Sequence, residues 1–339
     1  MICLLNDYNS LGCKEVLETI TKLGQENNIG YGKDVHTANA INLIRKEIGY
    51  NDADIYFLAG GTITNRIGLD AILRPYEAVI SVESGHINVH ETGAVESTGH
   101  KILCAKGNDG KLSSGDILNI LKEHTDSHKV LPRAVYISDS TEIGTIYTLK
   151  ELKEISKVCH ENDLYLFLDG ARLGCALCAE GNDISLKDIA KYTDIFYIGG
   201  TKNGAPLGEA LVITNKDLKK NFAYLLKNQG GLLAKGFLCG IIFETLFTDN
   251  LYLKNASNSI QMAKKLREIF RTNNIKEVYV NPTNQVFVEL TKEQFAKISE
   301  KVLFEKWEEN DEFIVSRFVT NFNTSLSELE EFSNVLGSL

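Results

Sequence analysis

Three predicted strands of this 339-residue sequence end in residues whose types could do chemistry. One strand leads to Asp169, a second leads through two glycines and a threonine to Lys202, and a third leads to Gly61 and Thr62 just before a predicted helix. Ligands of parallel α/β sheets bind outside the carboxyl ends of the strands. We therefore expect a carboxylate, an amine and a glycine-rich turn to share one site.

Together these three groups match the requirements of pyridoxal 5′-phosphate (PLP). The aldehyde of this cofactor needs a lysine amine that can lose its proton, and burial or a nearby positive charge lowers the lysine pKa from about 10.4. The ring nitrogen needs a carboxylate, and the phosphate needs backbone N–H groups at a helix N-terminus, which glycines let approach closely. Each motif is common alone, since Lys202 could be a solvated loop residue and Asp169 a helix cap. The combination predicts PLP as the cofactor.

The elements that must position these residues alternate in type along the first 245 residues. We predict strands at 54–58, 78–82, 134–138, 164–168 and 194–198, and helices at 38–48, 64–73, 117–123 and 149–162. Continuous apolar strands separated by helices are typical of a mostly parallel central sheet covered by helices on both faces. The sequence therefore predicts the α/β class, with a large cofactor-binding domain at 1–245.

A different pattern begins near residue 246. We predict a helix at 252–272, strands at 278–280, 286–290 and 313–318, a helix at 292–302, and a last helix opened by a capping box from Ser325 to Glu328. Strands joined by short connections, with helices on one side, indicate a smaller C-terminal α+β domain at 246–339.

A longer series of motifs runs along the chain in this order: Gly61-Thr62 with Asn65, His86 with Glu91 and Gly93, Asp169-Gly170-Ala171-Arg172-Leu173, and Lys202. The series resembles the threonine aldolase family, which groups with the β-eliminating lyases. Asn6-Asp7, the loop from Tyr31 to Asp34 and the stretch from Arg317 to Thr320 extend the resemblance over most of the chain. It implies a fold type I, transferase-like PLP enzyme. The implied reaction is cleavage of a β-hydroxy-α-amino acid, such as threonine or allo-threonine, to glycine and an aldehyde.

The resemblance also implies roles for single residues. Lys202 would bind the cofactor's aldehyde, Asp169 would hold its ring nitrogen, and His86 would stack on its ring. Arg172 and Arg317 would hold the substrate carboxylate, a task that suits the two parallel donors of a guanidinium group.

Four further residues enter the predicted site through the resemblance. Asn6 and Tyr31 would contact the substrate. Glu142 stands where the family often has a histidine that places the substrate hydroxyl. Lys235 is the nearest cation in a glycine-rich stretch that usually carries an arginine for the phosphate of a neighbouring subunit, and we expect a homodimer or homotetramer with active sites at the dimer interface.

Alternatives remain within the PLP prediction. The base that takes the hydroxyl proton could be His86, Glu142 or a water molecule. The same anchors would also serve β-elimination or transamination, and a non-catalytic PLP-fold module is a third possibility. An NAD-dependent enzyme is disfavoured because no GxGxxG motif follows a predicted strand.

Two pairs of potential metal or redox residues have simpler interpretations. His86 and His90 have the HxxxH spacing, but their glycine and β-branched neighbours argue against the helix that a metal site would need, and we expect no metal. Cys175 and Cys178 form a CxxC pair without a second pair at matching spacing. We favour packing for these cysteines, and a redox role stays open.

The overall composition narrows the class of partner. The formal net charge of −9 argues against a nucleic-acid surface and a polybasic membrane anchor. The first residues lack the pattern of a signal peptide, and no apolar stretch approaches the length of a membrane span. We therefore expect a cytoplasmic enzyme that acts on a small amino acid, binding neither nucleic acid nor membrane.

Overall fold

The computed structural model describes residues 1–337. Its strands are β1 (Ile2–Cys3), β2 (Asp54–Leu58), β3 (Glu77–Val82), β4 (Lys101–Ala105), β5 (Leu131–Ser138), β6 (Tyr165–Asp169), β7 (Ile195–Gly199), β8 (Glu209–Ile213), β9 (Glu277–Val278), β10 (Gln285–Thr291), β11 (Val302–Leu303), β12 (Glu305–Glu309) and β13 (Phe313–Val319). Its helices are α1 (Lys14–Lys22), α2 (Val35–Ile48), α3 (Gly61–Ile72), α4 (His86–Val89), α5 (Ser114–Glu123), α6 (Leu149–Glu161), α7 (Leu173–Cys178), α8 (Leu186–Tyr192), α9 (Lys216–Lys219), α10 (Phe222–Asn228), α11 (Phe237–Leu246), α12 (Leu251–Thr272), α13 (Lys292–Ser299) and α14 (Leu326–Gly337).

The large sheet has seven strands in the order β2-β8-β7-β6-β5-β3-β4. All neighbouring pairs from β7 to β4 are parallel, and only β8 runs antiparallel to the strands beside it. One apolar cluster packs α2, α6 and α8 on one face, and a second cluster packs α3 and α10 on the other. The predicted α/β class, with a mostly parallel sheet covered on both faces, is confirmed.

The smaller sheet is antiparallel, in the order β12-β13-β10-β9. Helices α12, α13 and α14 cover it through an apolar cluster in which Phe318 contacts Phe270 and Phe332. Strand β1 pairs with β11, so the first residues of the chain join this region. The proposed division at residues 245 and 246 stays a prediction.

The capping box at the start of α14 is confirmed, because the Ser325 amide donates to Glu328 Oε2 at 2.8 Å and the Glu328 amide donates back to Ser325 Oγ at 3.3 Å.

Two elements of the smaller domain end earlier than predicted. The strand at 278–280 ends at Val278, because Tyr279 has a φ of 46° and leaves the extended region. The helix at 292–302 ends at Ser299. None of the helices in residues 1–337 is long and apolar enough to cross a membrane.

Candidate active site

A cavity of about 610 Å³ opens at the carboxyl ends of β2, β6 and β7. It collects most of the residues that the sequence predicts for the site: Gly61, Thr62, His86, Glu142, Asp169, Arg172, Lys202 and Arg317. These residues come from six stretches of sequence and meet because the parallel strands end at one edge of the sheet.

Asp169 is the last residue of β6, and its carboxylate is buried and surrounded by donors. Oδ1 accepts hydrogen bonds from the Tyr197 hydroxyl at 2.5 Å and from the Ala171 amide at 2.9 Å. Oδ2 accepts hydrogen bonds from the side-chain amide of Asn65 at 3.0 Å and from the Tyr136 hydroxyl. This network fixes the carboxylate in one orientation toward the cavity.

The charges around Asp169 keep it ionised. Burial alone would raise its pKa, but the charge of His86 and the hydrogen bonds from Tyr136 and Tyr197 bring that pKa below its ordinary value. Burial, and then the Asp169 charge, raise the pKa of both phenols well above 10, so both remain donors. A fixed, ionised carboxylate is the group that a protonated ring nitrogen requires.

Lys202 stands on the turn that follows β7 and faces the same cavity. Burial, and then the charge of Arg172, lower the pKa of its amine, while Asp7 opposes the shift. Within residues 1–337 the Lys202 amine has no hydrogen bond or ion pair, and it lies 6.0 Å from the centroid of the Tyr8 ring. A partly desolvated amine with a lowered pKa is suited to attack an aldehyde.

His86 begins the short helix α4, and Glu91 orients its ring. His86 Nδ1 lies 2.8 Å from Glu91 Oε1, which also accepts from the Asn65 amide at 2.7 Å. Burial alone would lower the pKa of His86, but the hydrogen bond to Glu91 raises it above its ordinary value. Glu91 therefore keeps a proton on Nδ1 and orients the His86 ring, which lines the cavity.

The first turn of α3 provides the anion cradle. Gly60 precedes this twelve-residue helix with extended backbone, and no side chain caps the N–H groups in the described structure. A Cβ at Gly60 would meet open space, whereas a Cβ at Gly61 would lie 3.2 Å from the Tyr197 hydroxyl. Uncapped N–H groups at a helix start bind phosphate. This cradle, the Lys202 amine and the Asp169 carboxylate thus fit the three functional groups of PLP.

Arg172 and Arg317 both line the cavity, but protein groups already hold both guanidinium groups. Arg172 donates to Asp7 through Nε at 2.8 Å and through Nη2 at 3.1 Å. Arg317 donates to Gln285 through Nη1 at 3.0 Å and pairs with Glu305 through Nη2. The sequence predicted the two arginines but not their protein partners.

Three predicted residues lie outside this cavity: Asn6, Tyr31 and Lys235. Asn6 accepts a hydrogen bond from the Tyr8 amide at 3.1 Å, and it is Tyr8 that lines the cavity. The Tyr31 amide donates to Ala234 O at 3.0 Å, so Tyr31 lies beside the stretch that carries Lys235. The roles of Asn6, Tyr31 and Lys235 stay predictions.

Sequence reasoning did not assign Tyr8, Glu209, Glu305 and Trp307 to the site, and it considered His90 only as a metal ligand, yet all of these residues line the cavity. Glu209 stands seven residues after Lys202, at the start of a strand that the sequence analysis did not predict. Glu305 and Trp307 lie on the charged edge strand β12, which has little apolar alternation to reveal it.

The cysteine and metal alternatives gain no new support. Cys175 is buried and Cys178 is half-buried, and both are free thiols. Burial raises the pKa of each thiol. Residues 1–337 contain no group of three or more His, Cys, Asp or Glu side chains arranged to hold a metal ion.

Comparison with known proteins assigns the class. The family model of the β-eliminating lyases matches residues 4–293, which is most of the chain. The chain belongs to the β-eliminating lyase family. Like the members of that family, it is a PLP-dependent lyase, and the predicted cofactor is confirmed.

Several relatives of this lyase are threonine aldolases. It is 31% identical over 289 residues to the low specificity L-threonine aldolase of Pseudomonas aeruginosa, covering 84% of this chain and 83% of the relative. It is 28% identical over 337 residues to the enzyme of the same name from Escherichia coli K12, covering 98% and 97%. The predicted family resemblance is confirmed.

Solved structures agree with the fold. A threonine aldolase of Leishmania major superposes with a TM-score of 0.98 at 42% identity, covering 100% of this chain and 99% of that one. Cystalysin from Treponema denticola, which contains PLP, superposes with a TM-score of 0.73 at 14% identity, covering 100% and 90%. The second likeness shows that this lyase shares the fold type I architecture of PLP enzymes.

Proposed function

We propose that this lyase cleaves L-threonine and L-allo-threonine to glycine and acetaldehyde, as a low-specificity threonine aldolase. The observation that carries the proposal is one cavity in which Lys202, Asp169 and two arginines face each other, in a chain that matches the Leishmania major threonine aldolase over its full length. Bound PLP supplies an aldehyde that condenses with amines and a ring that accepts the electron pair released when the Cα–Cβ bond of the substrate breaks.

The residues of the chain prepare this reaction by holding and moving protons. Lys202, whose amine has a lowered pKa, would hold the aldehyde of the cofactor. The ionised Asp169 carboxylate would hold the proton of the ring nitrogen. His86, oriented by Glu91, would lie against the ring. Arg317 binds the substrate carboxylate through its fork of donors.

The base that removes the β-hydroxyl proton must come from the lining of the cavity or from a water molecule bound there. His86 and Glu142 both line it, and so does His90, whose ring centroid is 5.5 Å from that of His86. A positioned base contributes typically about 10² to 10⁴-fold to the rate. His86, Glu142 and an ordered water remain the candidates.

We further infer that the enzyme assembles as a homodimer or homotetramer in which Tyr31 and Lys235 serve the active site of a neighbouring subunit. The support is their position side by side but outside the cavity of their own chain. A further cation, Lys227 Nζ, lies 4.6 Å from the centroid of the Tyr31 ring. Light scattering gives the mass. Activity regained on mixing inactive Lys202→Ala subunits with inactive Lys235→Ala subunits would support the shared site.

The direct test of the activity is release of glycine and acetaldehyde from threonine, allo-threonine and phenylserine by the purified holoenzyme. We expect release with wild type, and loss of both the release and the visible absorbance of the bound cofactor in Lys202→Ala. Wild-type protein that binds PLP but cleaves none of the three amino acids would overturn the proposal. Pyruvate and ammonia from serine or cysteine would instead assign β-elimination, the reaction that names the family.

A further inference from the structure

Glu209 occupies the junction between the two chain segments that lead into the site. It is the first residue of β8, opposite Leu58 of β2 and Gly199 of β7. Two residues after Leu58, the chain enters the anion cradle, and three residues after Gly199 it reaches Lys202. Glu209 lines the cavity, yet its residue surface is only 3% exposed.

The strand alternation shows which way the Glu209 side chain points. Residues two apart on a strand share a face, so Glu209 lies on the face of Leu211. Leu211 packs in one apolar cluster with Tyr197 and with Ile67 of α3. A Cβ at Gly61 would in turn lie 3.2 Å from the Tyr197 hydroxyl. Glu209 therefore faces the side of the sheet on which α3 and its anion cradle begin.

Burial favours the neutral form of the Glu209 carboxyl group, whereas its polar neighbours favour the ionised form. The Thr201 side chain lowers the pKa of Glu209, and so does the Gly200 amide, which donates a hydrogen bond to Glu209 Oε2 at 2.8 Å. The charged groups that face it are Lys202, which favours ionisation, and Asp169, which opposes it.

The other titratable groups near Glu209 are uncharged at neutral pH: Tyr197, Tyr252 and Cys239. Burial is the main cause that raises the pKa of Glu209 to about 7. The carboxyl group is thus poised to carry a proton in a cavity that must accept a phosphate.

We propose that Glu209, in its carboxylic-acid form, donates a hydrogen bond to the phosphate of PLP, so that cofactor binding is linked to uptake of a proton at this residue. One carboxyl oxygen keeps the Gly200 amide, and the other carries the proton toward the anion. A second negative charge at this place would repel the phosphate, whereas a carboxylic acid extends the row of N–H donors at the start of α3. This inference depends on PLP as the cofactor and does not depend on which amino acid is the substrate.

The proposal gives cofactor binding a defined pH dependence. Well below pH 7 the Glu209 carboxyl is already protonated in the free protein, so PLP binding takes up no proton there. Above pH 7 the free carboxylate must take up a proton, so the Kd for PLP should rise by at most about tenfold per pH unit. Lys202 acts in the opposite direction, because its amine must be neutral to bind the aldehyde.

Pyridoxal, which has the aldehyde but lacks the phosphate, separates the two residues. The Kd values of PLP and pyridoxal are measured from pH 7 to pH 9 with the full-length chain, stripped of cofactor, for wild type and Glu209→Gln. Dividing the Kd of PLP by the Kd of pyridoxal cancels the contribution of Lys202, because both ligands carry the aldehyde. We expect the ratio to rise with pH in wild type and to stay flat in Glu209→Gln, because glutamine keeps a donor and an acceptor but cannot ionise.

Asp139→Asn is the matched control. Asp139 is also a buried carboxyl group whose pKa burial raises to about 7, and the cavity lining within residues 1–337 does not include it. Neutralising Asp139 should leave the pH dependence of the ratio as in wild type.

Proton uptake tests the proposal without any variant. Calorimetry of wild type at pH 8, in two buffers of different ionisation enthalpy, should show more proton uptake with PLP than with pyridoxal. Equal uptake with the two ligands would overturn the proposal. So would a Glu209→Gln variant that weakens PLP and pyridoxal equally at every pH, since that result assigns Glu209 only to support of the Gly200 turn.

Discussion

Arg172 and Arg317 line the same cavity, and protein groups hold them in different ways. Arg172 places two donors on Asp7, whose side chain is fully buried and also accepts from the Asn284 amide at 3.0 Å. Arg317 pairs with Glu305, whose side chain is 38% exposed on the edge strand β12. The partner of Arg172, Asp7, is enclosed by protein, whereas the partner of Arg317, Glu305, can turn toward solvent.

The pKa shifts of the two arginines follow the same division. Burial alone would lower the pKa of Arg172, but the Asp7 carboxylate raises it above its ordinary value. Burial, and then the charge of Arg172, lower the pKa of Arg317, and Glu305 compensates only in part. Arg317 Nε is also buried without a hydrogen-bond partner in the described structure. We infer that Arg172 joins the N-terminal segment to the site, and that Arg317 is kept for a carboxylate.

Removing the carboxylate of Asp7 should have the largest effect on the molecule. Asp7→Asn leaves the buried Arg172 charge without the carboxylate that it is hydrogen-bonded to, which costs about 3–5 kcal/mol. Urea denaturation at pH 7 measures the lost free energy of unfolding. Because the pKa of Asp7 lies below its ordinary value of 3.8, this stabilisation is fully present above pH 3.8 and disappears as the pH falls through the lower folded-state pKa.

The exposed ion pair between Lys264 and Glu180 is the control for this experiment. Glu180→Gln should leave the free energy of unfolding essentially unchanged, because solvent screens this exposed pair. A double variant, Asp7→Asn with Arg172→Met, should regain stability, because no unpaired charge remains. If Asp7→Asn costs no more than Glu180→Gln, the two arginines do not differ as the comparison requires.

Replacing Arg317 should remove recognition of the substrate carboxylate. Arg317→Gln should lower kcat/KM for threonine by about 30- to 1,000-fold, the equivalent of about 2–4 kcal/mol for a buried charged hydrogen-bond pair. The loss should fall mainly on KM. L-Threoninamide, which lacks the carboxylate, makes the test specific: wild type should prefer threonine over the amide, and Arg317→Gln should not.

The same substrate pair compares the two arginines directly. Arg172→Gln should lower stability and leave the preference for threonine over its amide largely in place. The opposite result, with the preference lost in Arg172→Gln and kept in Arg317→Gln, would exchange the roles of the two residues.

The contrast between the two arginines also marks how far the sequence could lead. Asp169 and Lys202 were predictable, because each follows a continuous apolar strand and the chain itself carries it to the edge of the sheet. The α/β class was predictable for the same reason. The pair of Asp7 with Arg172 was not predictable, because 165 residues separate its members. Tertiary contacts, among them the pairing of β1 with β11 and the hydrogen bond from Asn284 to Asp7, anchor the first segment there.

Strand register and strand composition explain why sequence reasoning missed other residues of the site. Tyr136 reaches Asp169 because β5 and β6 pair in a fixed register, and a single sequence contains no record of that register. Glu305 and Trp307 lie on a strand of five residues with three glutamates, whose composition is typical of a loop or a solvated edge. The elements with a hydrophobic period were therefore visible, and the contacts between them were not.

Releasing Arg317 from Glu305 should have the smallest effect and the opposite sign. If the substrate carboxylate takes the place of Glu305, substrate binding first has to break this ion pair. A pair with one partner at a partly exposed edge is worth about 0.2–1 kcal/mol. Glu305→Gln should therefore lower the KM for threonine about two- to fivefold with little change in kcat, and Trp307, whose ring centroid is 4.9 Å from the Arg317 guanidinium carbon, should keep the arginine in place.

Glu308 provides the control for Glu305, because it lies on the same strand but accepts a hydrogen bond from the Tyr279 hydroxyl at 2.8 Å. Glu308→Gln removes one negative charge from β12 without touching Arg317, and it should leave KM unchanged. An equal fall of KM in both variants would mean that the general charge of the strand repels the substrate carboxylate. A rise of KM in Glu305→Gln alone would mean that Glu305 aligns Arg317 for the substrate, and Arg317 would then be held as firmly as Arg172.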